Sequence, residues 1–292
     1  MLAALHPGSA SVRTGIALML AAMFMFSAND VLGKYLVGQF AVGQVVAVRS
    51  VAALLVLAPL AFRGGISPVV FVPRPGLHAL RSVLMAVEGF GFYAAVAYLP
   101  LADTVTYWLA APIYVAALAT VFLGETLDWR GWLAILLGFA GVLIALEPSR
   151  ASFSGPALIA LGGSLAFAIS MVLGRKLRAT PDATMMVWQM GAAVISGLLA
   201  LWLLPAEWKP MRLPDIGMLA LLGAVALCAH VMTNRALKHA PAAVVMPFQY
   251  SLLLWAVLFG ALFFHDTPKP TMLVGAALII LAGLYIALRK PA

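Results

Sequence analysis

The sequence predicts an all-α integral membrane protein of ten transmembrane helices, arranged as two inverted five-helix repeats. Three observations carry that prediction. Hydrophobic residues make up 64% of the 292 residues and charged residues 10%, against about 45–50% and about 25% in soluble domains. Ten apolar stretches of about 18–24 residues can be marked, near the length a bilayer core demands. The sequence also repeats itself weakly: Val31-Leu32-Gly33-Lys34-Tyr35-Leu36 returns as Val172-Leu173-Gly174-Arg175-Lys176-Leu177, Pro100 as Pro241 and Glu125-Thr126 as Asp266-Thr267, all at one offset. The halves are 1–148 and 149–292. Five spans in each, an odd number, require the second copy to enter the membrane from the opposite side.

Span 1, about 14–35, is too long for a signal-peptide core and contains Asn29-Asp30, so it reads as a retained span, with a cleaved signal as the alternative. Span 2, about 42–62, holds Arg49. Span 3, about 77–98, carries Arg81, Met85, Glu88 and Phe92 on one stripe at helical spacing. In the tight hairpin after it Pro100 falls where the next helix begins, a position that loses no hydrogen bond. Span 4, about 102–123, lines up Thr104, Tyr107, Ala111 and Tyr114 and contains Pro112.

Span 5, about 129–146, and span 10, about 270–288, are rich in small residues (Gly131, Gly138 and Gly141; Gly275, Ala276 and Gly283) and almost free of polar ones. Small residues let helices approach closely in lipid, so these two spans should buttress the fold. Spans 6 to 9 lie at about 155–174, 184–204, 214–234 and 242–264. The Pro-rich loops 63–76 and 205–213 follow the second span of each half. Cys228 is the one cysteine, so no internal disulfide can form and the redox compartment is unreadable.

The net charge of +8 could suggest nucleic acid, but the basic residues sort by loop. Arg13, Arg63, Arg74, Arg130, Arg175, Lys176, Arg178, Arg235, Lys238, Arg289 and Lys290 fall on the side of the N-terminus. Only Lys34, Arg150, Lys209, Arg212 and Lys269 fall on the other. The positive-inside bias then puts both termini in the cytoplasm, and no nucleic-acid partner is implied. Trp129, Trp132 and Trp208 at span ends read as interface anchors.

Leu99-Pro100-Leu101-Ala102 through Ala111-Pro112-Ile113-Tyr114 to Leu123-Gly124-Glu125-Thr126-Leu127, followed by a glycine-bearing helix, resembles the drug/metabolite transporter superfamily in its two-copy EamA form. His265-Asp266 replaces Gly-Glu in the second copy but keeps an acid. Arg49 matches a family-typical arginine. Within the family, Asn29-Asp30 through Gly33-Lys34 look most like the YddG-type aromatic amino-acid exporters. The resemblance implies a secondary transporter in a bacterial inner membrane. Its cargo would be aromatic and other neutral amino acids, moved by alternating access through a central cavity.

Ionisable groups in lipid are costly and mark function by default. Asp30 and Arg49 lie at similar depth on spans 1 and 2, either as a structural ion pair or as a gate or substrate-charge contact. Glu88, mid-span, could carry a proton, contact an amine or be satisfied by hydroxyls or water. His230 falls one residue from the repeat equivalent of Glu88, with Asn234 one turn on; it is a proton relay or a satisfied hydrogen-bonder. Phe26 and Phe167, Asn29 and Ser170, Tyr107 and Phe248, and Trp108 and Gln249 are repeat-related pairs. Aromatic faces with a few amides and hydroxyls suit a small, partly apolar zwitterion; interfacial or lipid-facing aromatics are the alternative. The candidate substrate-binding set is Phe26, Asn29, Glu88, Tyr107, Trp108, Phe167, Ser170, His230 and Gln249. Pro112 and Pro247 each remove a backbone donor and are candidate hinges or packing kinks.

No cofactor is implied, and the histidines lack metal-ligand spacing. An enzyme would need a reactive cluster near an interface, and no such grouping is visible. A nucleotide-sugar or phosphate-ester exchanger would need more cations on the cavity helices. Whether the protein dimerises is not readable.

Overall fold

The computed structural model describes residues 9–99, 101–125, 127–147, 154–204, 207–264 and 270–288, and every regular element among them is helical. Span 1 is Ser9–Val37, span 2 Val42–Ala61, span 3 Pro75–Tyr98, span 6 Gly155–Lys176, span 7 Asp182–Leu203 and span 8 Leu213–His239. These six are, by length and composition, long and apolar enough to cross a bilayer. Span 5 is Trp129–Leu146 and span 10 Pro270–Leu288. Span 4 is two helices, Leu101–Leu109 and Ala111–Leu123. Span 9 is a short helix Ala242–Val245, a 3-10 turn Met246–Tyr250 and a helix Ser251–Phe264. Span 8 runs one turn further than the apolar pattern alone suggests. Pro100, Thr126, the inter-repeat linker with the 148/149 boundary, and His265-Asp266-Thr267 lie outside the described residues.

The helix ends follow local chemistry. The Asp128 carboxylate caps span 5 by accepting the Gly131 N–H at 3.1 Å. Gly124, at φ 66°, ends span 4 in the left-handed conformation. Prolines stand in the first turn of spans 3, 6 and 8, where a missing N–H costs nothing.

The packing has a two-fold pattern. Span 1 packs on span 8, and span 6 on span 3. Span 3 packs on span 7, and span 8 on span 2. Span 4 packs on span 6, and span 9 on span 1; spans 2 and 7 pair with each other, as do 5 and 10. Exchanging each span for its partner five places along turns this set of contacts into itself. With five spans per repeat, the axis lies in the membrane plane, as in inverted-repeat transporters.

Glycine makes the closest crossings possible. A Cβ on Gly197 would lie 2.6 Å from the Ala47 nitrogen where spans 7 and 2 cross. One on Gly223 would overlap the Arg49 carbonyl oxygen where spans 8 and 2 cross. Spans 5 and 10 meet through Gly141 and Gly275. Among the described residues, neither contributes a wall to the central cavity. The outer surface is apolar, with residues such as Leu55, Val56, Leu158 and Ile195 exposed to the lipid.

Candidate central cavity

The cavity lies between the repeats, in the half of the bundle away from the face that carries both termini. Span 1 contributes Phe26, Asn29 and Asp30, span 2 Arg49, span 3 Glu88 and span 4 Trp108. The second repeat contributes Phe167 from span 6, His230 from span 8 and Gln249 from span 9. Its volume is about 60 Å³, room for a few water molecules. The walls must move apart before anything larger than that enters.

A polar chain runs along the wall. The Tyr93 hydroxyl accepts hydrogen bonds from Arg49 Nη1 at 2.9 Å and Asn29 Nδ2 at 3.2 Å. The Arg49 guanidinium also sits 4.7 Å from the centre of the Tyr93 ring, a cation–π contact. Asn29 Nδ2 is 3.4 Å from Asp30 Oδ1.

The direct ion pair expected between Asp30 and Arg49 is not formed: no salt bridge joins them among the described residues. Asn29 and Tyr93 link them instead. Equal depth fixes only height. Span 1 packs on span 8 while span 2 packs on spans 7 and 8, so the two side chains are offset sideways. Tyr93 was not among the sequence candidates. The signal that could have found it is its repeat equivalent, Asn234, since both positions are polar inside apolar spans.

Glu88 is held by Trp108, whose Nε1 donates to Glu88 Oε1 at 3.0 Å. Gly163 makes room for that indole: a Cβ there would lie 2.8 Å from the ring. Phe92 packs edge-on against Trp108 at 5.2 Å. Pro112 has no N–H to offer the Trp108 carbonyl one turn back. Gln249 Nε2 donates to that carbonyl at 2.9 Å, so the break in span 4 is closed by the repeat-related residue of span 9. Phe26 meets the His230 ring edge-on at 4.9 Å.

Pro112 and Pro247 both sit at discontinuities, in the first turn of the second span 4 helix and in the 3-10 turn of span 9. Two expected wall residues lie elsewhere. Ser170 is fully buried below the cavity, its hydroxyl 2.7 Å from both the Phe167 carbonyl and Met85 Sδ. Tyr107 packs against the apolar core and is not part of the wall. In both cases the rotation of the helix about its axis, which residue offsets do not encode, turns the side chain away.

The face that carries the termini is bolted by polar groups. Arg175, at the end of span 6, donates to Glu125 at the end of span 4 at 3.1 Å. Glu125 also accepts the Ala243 N–H at the start of span 9, and Arg175 reaches the Leu237 carbonyl of span 8. Asp182 of span 7 pairs with Arg235 and Lys238 of span 8. Sequence reading placed Glu125 in a motif but gave it no role.

The EamA-like transporter family model matches residues 13–146 and 155–288. The chain is 24% identical to the S-adenosylmethionine uptake transporter of Rickettsia bellii over 93% of its length and 92% of the relative's. It is 26% identical to the pseudopaline exporter CntI of Pseudomonas aeruginosa over 96% and 98%. A solved crystal structure superposes with a TM-score of 0.79 at 17% identity, covering 94% of this chain and 97% of the other. Neither named relative is named for aromatic amino acids, and one imports while the other exports. Two repeats that match one family model, packed two-fold around a cavity with charged and amide groups on its wall, make this chain a small-molecule transporter that belongs to the EamA-like transporter family.

Proposed function

We propose that the protein exports small zwitterionic metabolites, with aromatic and other neutral amino acids first among them, across a bacterial inner membrane by alternating access. The observation that supports this is the chemistry of the wall. Asp30, Glu88 and Arg49 stand among the rings of Phe26, Phe92, Trp108 and Phe167. Asn29 Oδ1 and Gln249 Oε1, both acceptors, have no hydrogen-bond partner among the described residues. A cargo carboxylate finds Arg49, an ammonium finds Glu88 and the amide oxygens, and an apolar side chain finds the rings. A phosphate ester would meet one guanidinium against two carboxylates.

The excess of basic residues in the loops of the bolted face supports a cytoplasmic position for it. On that orientation the cavity belongs to the outward half of the cycle, and release of the bolt begins the inward half. The breaks at Pro112 and Pro247 are the hinges of this reading. The test is efflux from loaded proteoliposomes of a panel of labelled amino acids beside a sugar nucleotide. The expected result is efflux of aromatic amino acids, weakened by Trp108→Ala and Gln249→Ala in folded protein. Efflux of the sugar nucleotide with none of any amino acid would overturn the proposal.

A further inference from the structure

We propose that Arg81, Gln189 and Asn234 form a second, inner station for the carboxylate of the cargo, taken up as the cavity turns to the cytoplasm. The inference rests on the zwitterion reading above.

Arg81 is 2% exposed and Asn234 3%. Arg81 Nη1 donates to Gln189 Oε1 at 3.2 Å and Nη2 to Asn234 Oδ1 at 2.9 Å. Both acceptors are neutral, and no salt bridge reaches Arg81 among the described residues. A buried guanidinium without a counter-charge is a costly state. Two further groups here, Arg81 Nε and Asn234 Nδ2, have no hydrogen-bond partner among the described residues. Both are donors. A buried locus with a net positive charge and only donors left over calls for an anion, and a guanidinium matches a carboxylate best. Gly174 borders the same place: a Cβ on it would lie 3.4 Å from Arg81 Nε and 3.7 Å from Asn234 Oδ1.

The station continues the cavity. Glu88 lies on its wall, and Arg81 lies seven residues back on the same stripe of span 3, about 10 Å nearer the bolted face. On span 8, Asn234 is one turn beyond His230. The contact of Met85 with Ser170 and the Phe26–His230 ring pair form the floor between the two levels. The repeat relation gives the pattern its logic. Tyr93 holds Arg49 in the outer half, and Asn234, its repeat equivalent, holds Arg81 in the inner half. Each half of the pathway thus has one arginine held by a neutral side chain.

The test measures KM for labelled phenylalanine from each face of oriented proteoliposomes. Arg81→Gln should raise the cytoplasmic-side KM about tenfold or more, the loss of a charge-assisted contact. The outer-side KM should change less than twofold. Asn234→Asp separates a station from a simple clamp, because it gives Arg81 a resident carboxylate and keeps the spans tied. A station predicts the same one-sided rise in KM with no loss of thermal stability. Parent-like KM on both faces in folded Asn234→Asp would overturn the proposal, as would an equal rise on both faces. Failure of the parent to move any carboxylate-bearing cargo is a separate result, which overturns the zwitterion reading and this station with it.

Discussion

Replacing Glu125 with glutamine removes the charge at the centre of the bolt while keeping the shape of the side chain. The Glu125 and Arg175 side chains are 15% and 11% exposed and 3.1 Å apart. Removing one partner of a fully buried pair costs about 3–5 kcal/mol; partial hydration brings this pair to about 2–3 kcal/mol. Glu125 also holds the Ala243 N–H, so one carboxylate ties spans 4, 6 and 9. Glutamine keeps one acceptor oxygen but not the charge, so if the ion pair exists only while this face is closed, its loss shifts the closed–open equilibrium by roughly 30- to 150-fold. Spin labels on cysteines at Phe122 and Lys176, both exposed near the bolt, in a Cys228→Ser background would report this as a longer distance population. Exchanging the charges, Glu125→Arg with Arg175→Glu, should restore part of the short population. An unchanged distance distribution in Glu125→Gln would mean that the Glu125–Arg175 pair does not hold this face closed.

Thermal denaturation of double-mutant cycles should find Tyr93→Phe and Arg49→Met coupled by about 1 kcal/mol or more, and Asp30→Asn and Arg49→Met by less than about 0.5 kcal/mol. The reverse order would restore the direct ion pair. Gly223→Ala should prevent stable folding in detergent because its Cβ meets backbone of span 2, whereas Gly162→Ala, with nothing within 4 Å, should be neutral. Size-exclusion profiles and melting temperatures of the two variants check this; equal behaviour would contradict the close crossing.

The spans and the repeat that relates them are legible because lipid demands apolar stretches of bilayer length, and a repeat with an odd number of spans inverts; which spans pack together is not, as the small contact of span 1 with span 2 shows. Much of the wall is legible for the same reason, since Asn29, Glu88, Trp108, His230 and Gln249 are polar groups in apolar helices. Depth along a helix can be counted, but rotation about its axis and sideways offset cannot. That is why Ser170 and Tyr107 fall off the wall and Asp30 misses Arg49. The division of span 9 was half visible: Pro247 announces a break, but the 3-10 turn also depends on Tyr250, whose hydroxyl reaches the Ile135 carbonyl at 3.2 Å and whose ring fills the space beside Gly138. The bolt was missed because Glu125, Arg175 and Asp182 look like ordinary span-end charges until the fold brings them together.

If one cavity between the repeats holds the cargo, bound cargo must shield its wall. Ala226 is small, 3% exposed and part of the cavity wall, and Cys228, the free and exposed cysteine, can be replaced by serine. In Ala226→Cys/Cys228→Ser protein that still transports, a membrane-impermeant thiol reagent applied to the face opposite the termini measures access to the cavity. Labelling should slow about tenfold or more at saturating cargo. Labelling at one rate with and without saturating cargo would contradict it.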